Sequence, residues 1–191
     1  MVQQAQHRLE SDAGTEWELV ERAQDELPYV TTGFSVLMRA YEARVLRTCR
    51  RLLGNPHDAE DVYQEILIRV FHGLKGFKHD SSFSTWLFRI AHNECMTQLR
   101  KLSREKGLFA AGNGAPEPIA SLENADAAEL GRDIERVLAK MSFVDREVLT
   151  LRFVSDLPLA DIAKVLGIKL SAAKMRLSRA SGRFAELLDV E

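Results

Sequence analysis

Apolar residues recur at spacings of three and four along most of this 191-residue chain, and that periodicity is typical of amphipathic α-helices. No stretch of useful length alternates apolar and polar residues with period two, so we predict no β-sheet. Proline and glycine interrupt the pattern at Gly54-Asn55-Pro56, and polar residues interrupt it again at Lys75-Gly76 and Lys78-His79-Asp80-Ser81-Ser82. The chain is therefore predicted to be an all-α protein.

The segment 107–128 differs in composition from the rest of the chain. It is rich in Gly, Ala, Pro and Asn and poor in large apolar side chains, which is typical of a linker. Residues 1–14 are polar and lack periodicity, and we interpret them as a flexible tail. The sequence thus predicts two small helical domains, at 15–106 and 129–191, joined by a flexible linker.

Charge and cysteine content limit the classes of function. The formal net charge is -2, so any nucleic-acid site must be a local cluster of basic side chains. Cys49 and Cys95 form no C-x-x-C pair, which indicates neither a disulfide framework nor a zinc site and fits a reducing compartment. The N-terminus lacks the apolar segment of a secretory signal, and no apolar run is long enough for a membrane span. We expect a cytoplasmic protein without direct membrane insertion.

The strongest local signal is a helix-turn-helix pattern near the C-terminus. Residues 159–166 predict a short amphipathic helix, and Gly167 suits the left-handed conformation that follows a helix end. After a turn at 168–170, Ser171 is predicted to cap the N-terminus of a second helix. From Lys169 to Arg183 the chain carries five basic residues and no acidic residue.

The second helix of this pattern is predicted to have two faces. Its core side is marked by apolar spacing at Ala173, Leu177, Ala180, Phe184, Leu187 and Leu188. Its outer side is expected to carry Ser171, Met175, Ser178 and Gly182. Lys174 and Arg179 are expected at the flanks of this outer side, and Arg176 and Arg183 near its boundary with the core. Small central side chains would let the helix enter a major groove, and long basic side chains would reach the phosphates. A solvated basic face on a terminal helix would show similar charge, but the preceding helix and turn favour DNA recognition.

Residues 58–71 predict an acidic amphipathic helix. Its core side is expected to carry Ala59, Val62, Ile66, Val70 and, beyond it, Leu74. The opposite side carries Asp58, Asp61, Gln64 and Glu65. Helix starts favour negative charge, which explains Asp58 but not Asp61 or Glu65. The latter two indicate a surface for a basic partner.

A polar loop and an aromatic helix follow between residues 77 and 93. Aromatic residues interleaved with polar and basic ones can stack on the bases of a single strand, and Arg100, Lys101, Arg104 and Lys106 add positive charge. Aromatic residues in an apolar helix, such as Trp86 and Phe88, belong more often to a hydrophobic core. Both interpretations stay open on the residue pattern alone.

Three strings make this chain similar to the extracytoplasmic-function (ECF, group IV) sigma factors of RNA polymerase. They are DAEDVYQE at 58–65, FSTWLFRIAHN at 83–93, and DREVLTLRF at 145–153 followed by the helix-turn-helix. The resemblance covers about residues 18–104 and 130–188, which correspond to sigma region two and sigma region four, and sigma region three is absent. It implies a region 2 helical bundle, a region 4 helix-turn-helix domain and promoter-specific transcription initiation, with no enzymatic activity, cofactor or metal.

The resemblance also implies roles for individual residues. Docking on the clamp helices of the largest subunit of core RNA polymerase would involve Asp58, Asp61, Gln64 and Glu65. The minus-ten element would be read and melted by Phe77, Lys78, Ser81, Ser84, Thr85, Trp86, Arg89, Asn93 and Arg100, with Phe77 and Asn93 lining a pocket for one extruded non-template base. The minus-thirty-five element would be read by Ser171, Lys174, Met175, Arg176, Ser178, Arg179 and Arg183.

The resemblance further implies regulation by a membrane-linked anti-sigma factor. It also gives the linker a role, because about 22 extended residues span at most roughly 75 Å, or about two turns of DNA. Two weak DNA-binding modules on one tether raise each other's effective concentration.

Two other classes of protein fit the sequence less well. A stand-alone helix-turn-helix regulator would have a ligand or dimerisation domain in place of the strings at 58–65 and 83–93. An enzyme is disfavoured because His92 and Cys95 form only an H-x-x-C pair without a second ligand pair, and no nucleophile elbow or phosphate loop occurs.

Overall fold

The computed structural model describes residues 16–105 and 129–188, and for residues 129–133 it describes the backbone only. Within these ranges every regular element is a helix, which confirms the all-α prediction. None of the described helices is long and apolar enough to cross a bilayer. The predicted tail at 1–14 and linker at 107–128 lie outside the described residues.

The N-terminal module consists of four helices: α1 (Glu16–Glu26), α2 (Thr32–Leu53), α3 (Pro56–Leu74) and α4 (Phe83–Glu105). The predicted break between α2 and α3 is confirmed. Gly54 has a left-handed φ of 72° and its N–H donates to the Arg50 carbonyl at 2.8 Å. The Asn55 side chain then accepts from the His57 N–H at 2.8 Å. Glycine ends one helix and asparagine caps the next, as helix termini require.

The C-terminal module begins with α5 (Glu129–Lys140) and α6 (Phe143–Leu149), and α6 continues into one π-helical turn (Thr150–Val154). The last two helices are α7 (Leu159–Leu166) and α8 (Leu170–Leu188). Ser142 caps α6 by accepting from the Asp145 N–H. Gly167 has a left-handed φ of 64° and ends α7, as predicted. Helices α7 and α8 pack together and form the helix-turn-helix.

Two details of α8 differ from the prediction. The helix begins at Leu170, and the Ala173 N–H donates to the Lys169 carbonyl. An N-cap at Ser171 would start the helix at residue 172, so α8 starts two residues earlier than predicted. The predicted N-cap role of Ser171 is therefore wrong, and this residue lies in the first helical turn. Leu188, expected on the core side, is 38% exposed at the end of the helix.

The predicted core side of α3 is confirmed, since Ala59, Val62, Ile66, Val70 and Leu74 are all buried. These residues pack with apolar side chains of α2 and α4, including the fully buried Leu52, Leu87 and Phe88. Apolar burial of this kind is the main favourable contribution to folding. The opposite side of α3 is thereby held toward solvent.

The two modules pack against each other, which the sequence did not predict. Helix α2 contacts α6 and the π-helical turn, and α4 contacts α7. The hydroxyl oxygens of Thr48 and Ser155 lie 2.9 Å apart in a buried hydrogen bond between the modules. A second buried contact joins His92 Nε2 to Glu147 Oε1 at 2.8 Å. The hydrophobic core is continuous across this contact.

Candidate protein and nucleic-acid interfaces

The outer side of α3 carries an acidic surface formed by Asp61, Gln64 and Glu65, all exposed. Asp58 does not share this exposure: it is half-buried, and its carboxylate accepts from Gln98 Nε2 of α4 at 3.0 Å. Asp58 therefore helps to join α3 to α4. The three exposed residues are placed to meet a basic or polar partner.

Sequence reasoning missed Ile68 on the same surface. Its side chain is 51% exposed, and at 3.6 residues per turn it falls within about 100° of the acidic surface around the helix axis. The sequence contained a signal for this residue: Ile68 is an apolar residue on the side of an amphipathic helix that faces away from the core. An exposed apolar group beside polar ones is typical of a protein contact.

The loop between α3 and α4 is closed by an aromatic cluster. Phe77 is only 7% exposed, and its ring lies 5.0 Å from Trp86, 4.8 Å from His79 and 6.1 Å from Phe83, measured between centroids. Such tilted and edge-to-face contacts stabilise aromatic clusters beyond their burial. In this arrangement the ring of Phe77 belongs to the core and does not line an open pocket.

The other candidate minus-ten residues divide by exposure. Thr85 is buried, and its hydroxyl lies 2.7 Å from that of Ser82, which also accepts from the Thr85 N–H and caps α4. Half-buried positions are occupied by Ser81, Ser84 and Trp86. Exposed positions are occupied by Lys78, Arg89, Asn93 and Arg100. Sequence reasoning had not singled out Ser82, although a serine before a helical pattern is an ordinary N-cap signal.

Helix α4 presents a polar and basic band. Trp86, Arg89, Asn93 and Arg100 fall within about 60° of one another around the helix axis, and the last three are exposed. Each of the two interpretations of the aromatic helix therefore fits a different side of α4. Phe83 and Phe88 are fully buried core residues, whereas the band on α4 is accessible to a charged strand.

Helix α8 presents a basic surface on the side away from α7. Its exposed members are Ser171, Lys174, Met175, Ser178, Arg179 and Arg183, and Arg176 is half-buried. Ala173 and Ala180 are buried on the opposite side. Since these two side chains are small, α8 can lie close to the rest of its module while its basic surface stays in solvent.

Arg183 has a structural contact in addition to its exposure. Its guanidinium lies 3.0 Å from the carboxylate of Asp145, a buried residue in the first turn of α6. A buried carboxylate needs such a partner. Arg183 therefore ties α8 to α6, and its availability to DNA is lower than that of Lys174 or Arg179.

Charged groups also line the contact between the modules. Arg51 and Glu135 form an ion pair at 2.6 Å. Burial lowers the pKa of Arg51 from its ordinary value, and the facing Glu135 carboxylate opposes this shift. Burial likewise lowers the pKa of Arg44, and the carboxylates of Asp156 and Glu16 oppose it. Arg51 is thus partly desolvated beside one acidic group, and Arg44 is partly desolvated near two acidic groups from different parts of the chain.

The described residues contain no group of three His, Cys, Asp or Glu side chains that could hold a metal ion. Cys49 and Cys95 are buried thiols without a disulfide. The described ranges present three charged or polar surfaces: an acidic one on α3, a polar and basic band on α4 and a basic one on α8.

Comparisons with known proteins agree with this arrangement. The family model of Sigma-70 region 2 matches residues 37–105, and that of Sigma-70, region 4 matches residues 131–183. The ECF RNA polymerase sigma factor SigW of Bacillus subtilis is 28% identical over 157 residues, covering 77% of this chain and 84% of that protein. The RNA polymerase sigma-H factor of Pseudomonas aeruginosa is 30% identical over 158 residues, covering 78% and 82%.

A solved structure has a similar fold. The sigma factor RpoE in complex with the anti-sigma factor NepR from Bartonella quintana superposes with a TM-score of 0.67 and 27% identity, covering 85% of this chain and 99% of that chain. The two matched regions, one on each module, define a protein of the sigma-70 type. Within that class, this chain belongs to the extracytoplasmic-function RNA polymerase sigma factors. It is a transcription initiation factor.

Proposed function

We propose that this sigma factor binds core RNA polymerase through the acidic surface of α3 and reads two promoter elements, one with each module. The observation that carries the proposal is the separation of surfaces: an exposed acidic surface on α3, and exposed basic groups on α4 and α8. Asp61, Gln64 and Glu65 would contact the clamp helices of the largest subunit, with Ile68 adding apolar contact. Charged groups of this kind speed the association of two proteins, and an apolar residue beside them increases the affinity.

The minus-ten element would be read by α4 and the loop before it. Arg89 and Arg100 would hold phosphates along the helix, and Asn93 would contact a base. Extruding a base costs a few kcal/mol. Because Phe77 is buried against Trp86, the base pocket would form only when the loop shifts on binding DNA. The extruded base would then displace part of the aromatic cluster around Phe77 and pack against the rest of it.

The minus-thirty-five element would be read by α8 in the major groove. Lys174, Met175, Ser178 and Arg179 occupy the exposed centre and flanks of the basic surface. Long basic side chains can reach phosphates or bond a guanine bidentately. Arg176, half-buried beside them, would contact phosphate.

An anti-sigma factor would control the protein in the cytoplasm. Support comes from the similar fold of RpoE, which was solved in complex with the anti-sigma factor NepR. The partner would cover exposed surfaces of both modules, and a membrane-linked form would connect them to a signal outside the cell. Co-expression with the neighbouring gene product tests this, since the absence of any complex would contradict it.

Run-off transcription of a genomic library with purified core polymerase tests the main proposal. The wild-type chain should direct initiation at defined sites. The double variant Asp61→Arg with Glu65→Arg should bind core polymerase at least about 100-fold more weakly, since each removed charge at a buried contact costs several kcal/mol. Its helical content by circular dichroism should not change.

A matched control for this charge reversal lies on α1. Glu21 and Asp25 are exposed acidic residues with the same four-residue spacing, so Glu21→Arg with Asp25→Arg changes the net charge by the same amount. This control should bind core polymerase normally. Equal binding by both double variants would contradict docking through α3.

A further inference from the structure

Helix α1 is fixed firmly against the rest of the N-terminal module, although it precedes the range matched by the region 2 family model. Leu19, Val20 and Ala23 are buried. Gly33 at the start of α2 lies so close that a Cβ there would come within 3.1 Å of Ala23 backbone atoms. The Gly33 N–H also donates to the Glu26 carboxylate. Side chains on α1 therefore have defined positions.

Gln24 on α1 joins this helix to the loop between α3 and α4. Its Nε2 donates to the carbonyl oxygen of Leu74 at 2.9 Å and to that of Phe77 at 2.9 Å. Leu74 is the last residue of α3, and its carbonyl also accepts from the Phe77 N–H at 3.0 Å in the turn after the helix. One side-chain amide thus bonds to both carbonyl oxygens of this turn and holds the backbone of Phe77.

The same glutamine holds a third residue of the loop. Its Oε1 lies 3.3 Å from Nε2 of His79. Because Oε1 can only accept, His79 Nε2 is the donor. His79 has a left-handed φ of 62°, a conformation that costs free energy for a residue with a Cβ and needs support from its surroundings.

Stacking completes the attachment of the loop to α1. The ring centroids of Trp17, on α1, and His79 are 3.8 Å apart. His79 in turn contacts Phe77, which packs on Trp86. A continuous chain of contacts runs from α1 through the loop, which holds the first candidate minus-ten residues, to the first turn of α4.

We infer that α1 is a positioning element for minus-ten recognition, in which Gln24 holds the recognition loop by its bonds to Leu74, Phe77 and His79. The inference rests on the proposed function, since it assumes that this loop reads the minus-ten element. Gln24 itself need not touch DNA. It fixes the position of the Phe77 backbone, and of the side chains that follow Phe77, when a base binds.

Substitution of Gln24 by methionine removes the amide and keeps the length of the side chain. Holoenzyme with Gln24→Met is assayed by transcription from promoter libraries randomised at the minus-ten or the minus-thirty-five element, built on a promoter that the wild-type chain selects. We expect the preference between favoured and disfavoured minus-ten bases to fall roughly tenfold, as loss of the three hydrogen bonds of the Gln24 amide allows. The minus-thirty-five preference and binding to core polymerase should not change.

This readout separates positioning from general damage. A partly unfolded variant would lower transcription from every promoter and leave both preferences as they were. Glu21→Met, at an exposed position on the same helix, is the matched control and should keep the wild-type preferences at both elements. An unchanged minus-ten preference in Gln24→Met, with normal initiation by the wild-type chain, would overturn the inference alone. Failure of the wild-type chain to initiate would instead overturn the proposed function.

A second measurement needs neither polymerase nor DNA. The only two tryptophans of the chain, Trp17 and Trp86, lie at the two ends of the contact chain through the loop. Loosening of the loop in Gln24→Met should increase the quenching of their fluorescence by acrylamide, while Glu21→Met should match the wild type. Equal quenching in all three proteins would show that Gln24 does not hold the loop and would overturn the inference.

Discussion

At the scale of single residues, the basic surface of α8 contains side chains that can meet either bases or phosphates. Lys174 and Arg179 are both exposed and are not joined to an acidic residue by any ion pair within the described ranges. A base contact changes which sequence is preferred, whereas a phosphate contact changes affinity for all sequences alike. The two roles therefore predict different results for the same substitution.

Lys174→Ala tests these roles. If the ammonium group contacts a base, discrimination at one position of the minus-thirty-five element should fall by about 1–3 kcal/mol. Competition transcription on promoters that differ at single positions measures this. Arg39→Ala, an exposed basic position on α2, serves as control and should leave discrimination unchanged. A uniform loss across promoters for Lys174→Ala would mean a phosphate contact.

The two cysteines are predicted to be unreactive in the folded protein. A hydrogen bond with the Cys49 thiol, together with complete burial, raises the pKa of the Cys95 thiol. The thiolate is the form that reacts with alkylating reagents, so Cys95 should resist iodoacetamide at pH 8, and complete burial should keep the reagent from Cys49. Mass spectrometry should find no adduct on native protein and two adducts after unfolding in guanidinium. Rapid labelling of native protein would contradict the packing of α2 against α4.

At the scale of elements, two exposed glycines allow a comparison between the end of a helix and its interior. Gly167 ends α7 with a left-handed φ of 64°, whereas Gly182 lies inside α8, and a Cβ at either position would meet nothing within 4 Å. Gly167→Ala should lower the free energy of unfolding by about 1 kcal/mol because of backbone strain. Gly182→Ala should raise it by about 0.5–1 kcal/mol because alanine favours the helix. Urea denaturation measures both, and equal signs would contradict this account.

Elements whose causes are local could be predicted from the sequence. The break at Gly54-Asn55-Pro56, the core side of α3 and the glycine that ends α7 each depend on residues a few positions apart. The start of α8 was predicted two residues too late, because serine is a favourable N-cap residue and Ser171 stands close to the true helix start. Local patterns determine the type of an element better than its boundary.

Features that join distant parts of the chain could not be predicted in this way. Gln24 bonds to carbonyls 50 and 53 residues away, and His92 meets Glu147 across 55 residues. No periodicity relates such positions. The surroundings of Phe77 also include a residue far along the chain, since Gln24 donates to its carbonyl, and so the place of Phe77 in a closed aromatic cluster could not be predicted.

At the scale of the whole molecule, the contact between the modules limits what one conformation can do. Two promoter elements about two turns of DNA apart are separated by roughly 70 Å. A compact chain of this length has a radius of gyration of only about 16 Å, so its surfaces cannot span that distance. On the proposed function, the modules must therefore separate before both elements can be read together. The packed form is then a state in which the acidic surface of α3 stays exposed while simultaneous DNA reading is prevented.

Charge reversal at the edge of this contact should favour the separated form. Glu135 pairs with Arg51 at 2.6 Å between the modules, so Glu135→Lys replaces attraction with repulsion. A change of about 1–2 kcal/mol would shift the balance between packed and separated forms roughly 5- to 30-fold. Energy transfer between labels on cysteines introduced by Glu65→Cys and Ser178→Cys, both exposed sites, should fall accordingly, since the buried native thiols do not compete for label.

Glu60→Lys provides the control, because Glu60 pairs with Arg50 within the N-terminal module. It changes the charge equally and should leave energy transfer as in the wild type. Higher salt screens exposed charges, so the difference between the two variants should shrink as ionic strength rises. If Glu135→Lys and Glu60→Lys give the same transfer at low salt, the ion pair of Arg51 does not help to hold the modules together, and their packing depends on the continuous hydrophobic core and the buried contacts of Thr48 and His92.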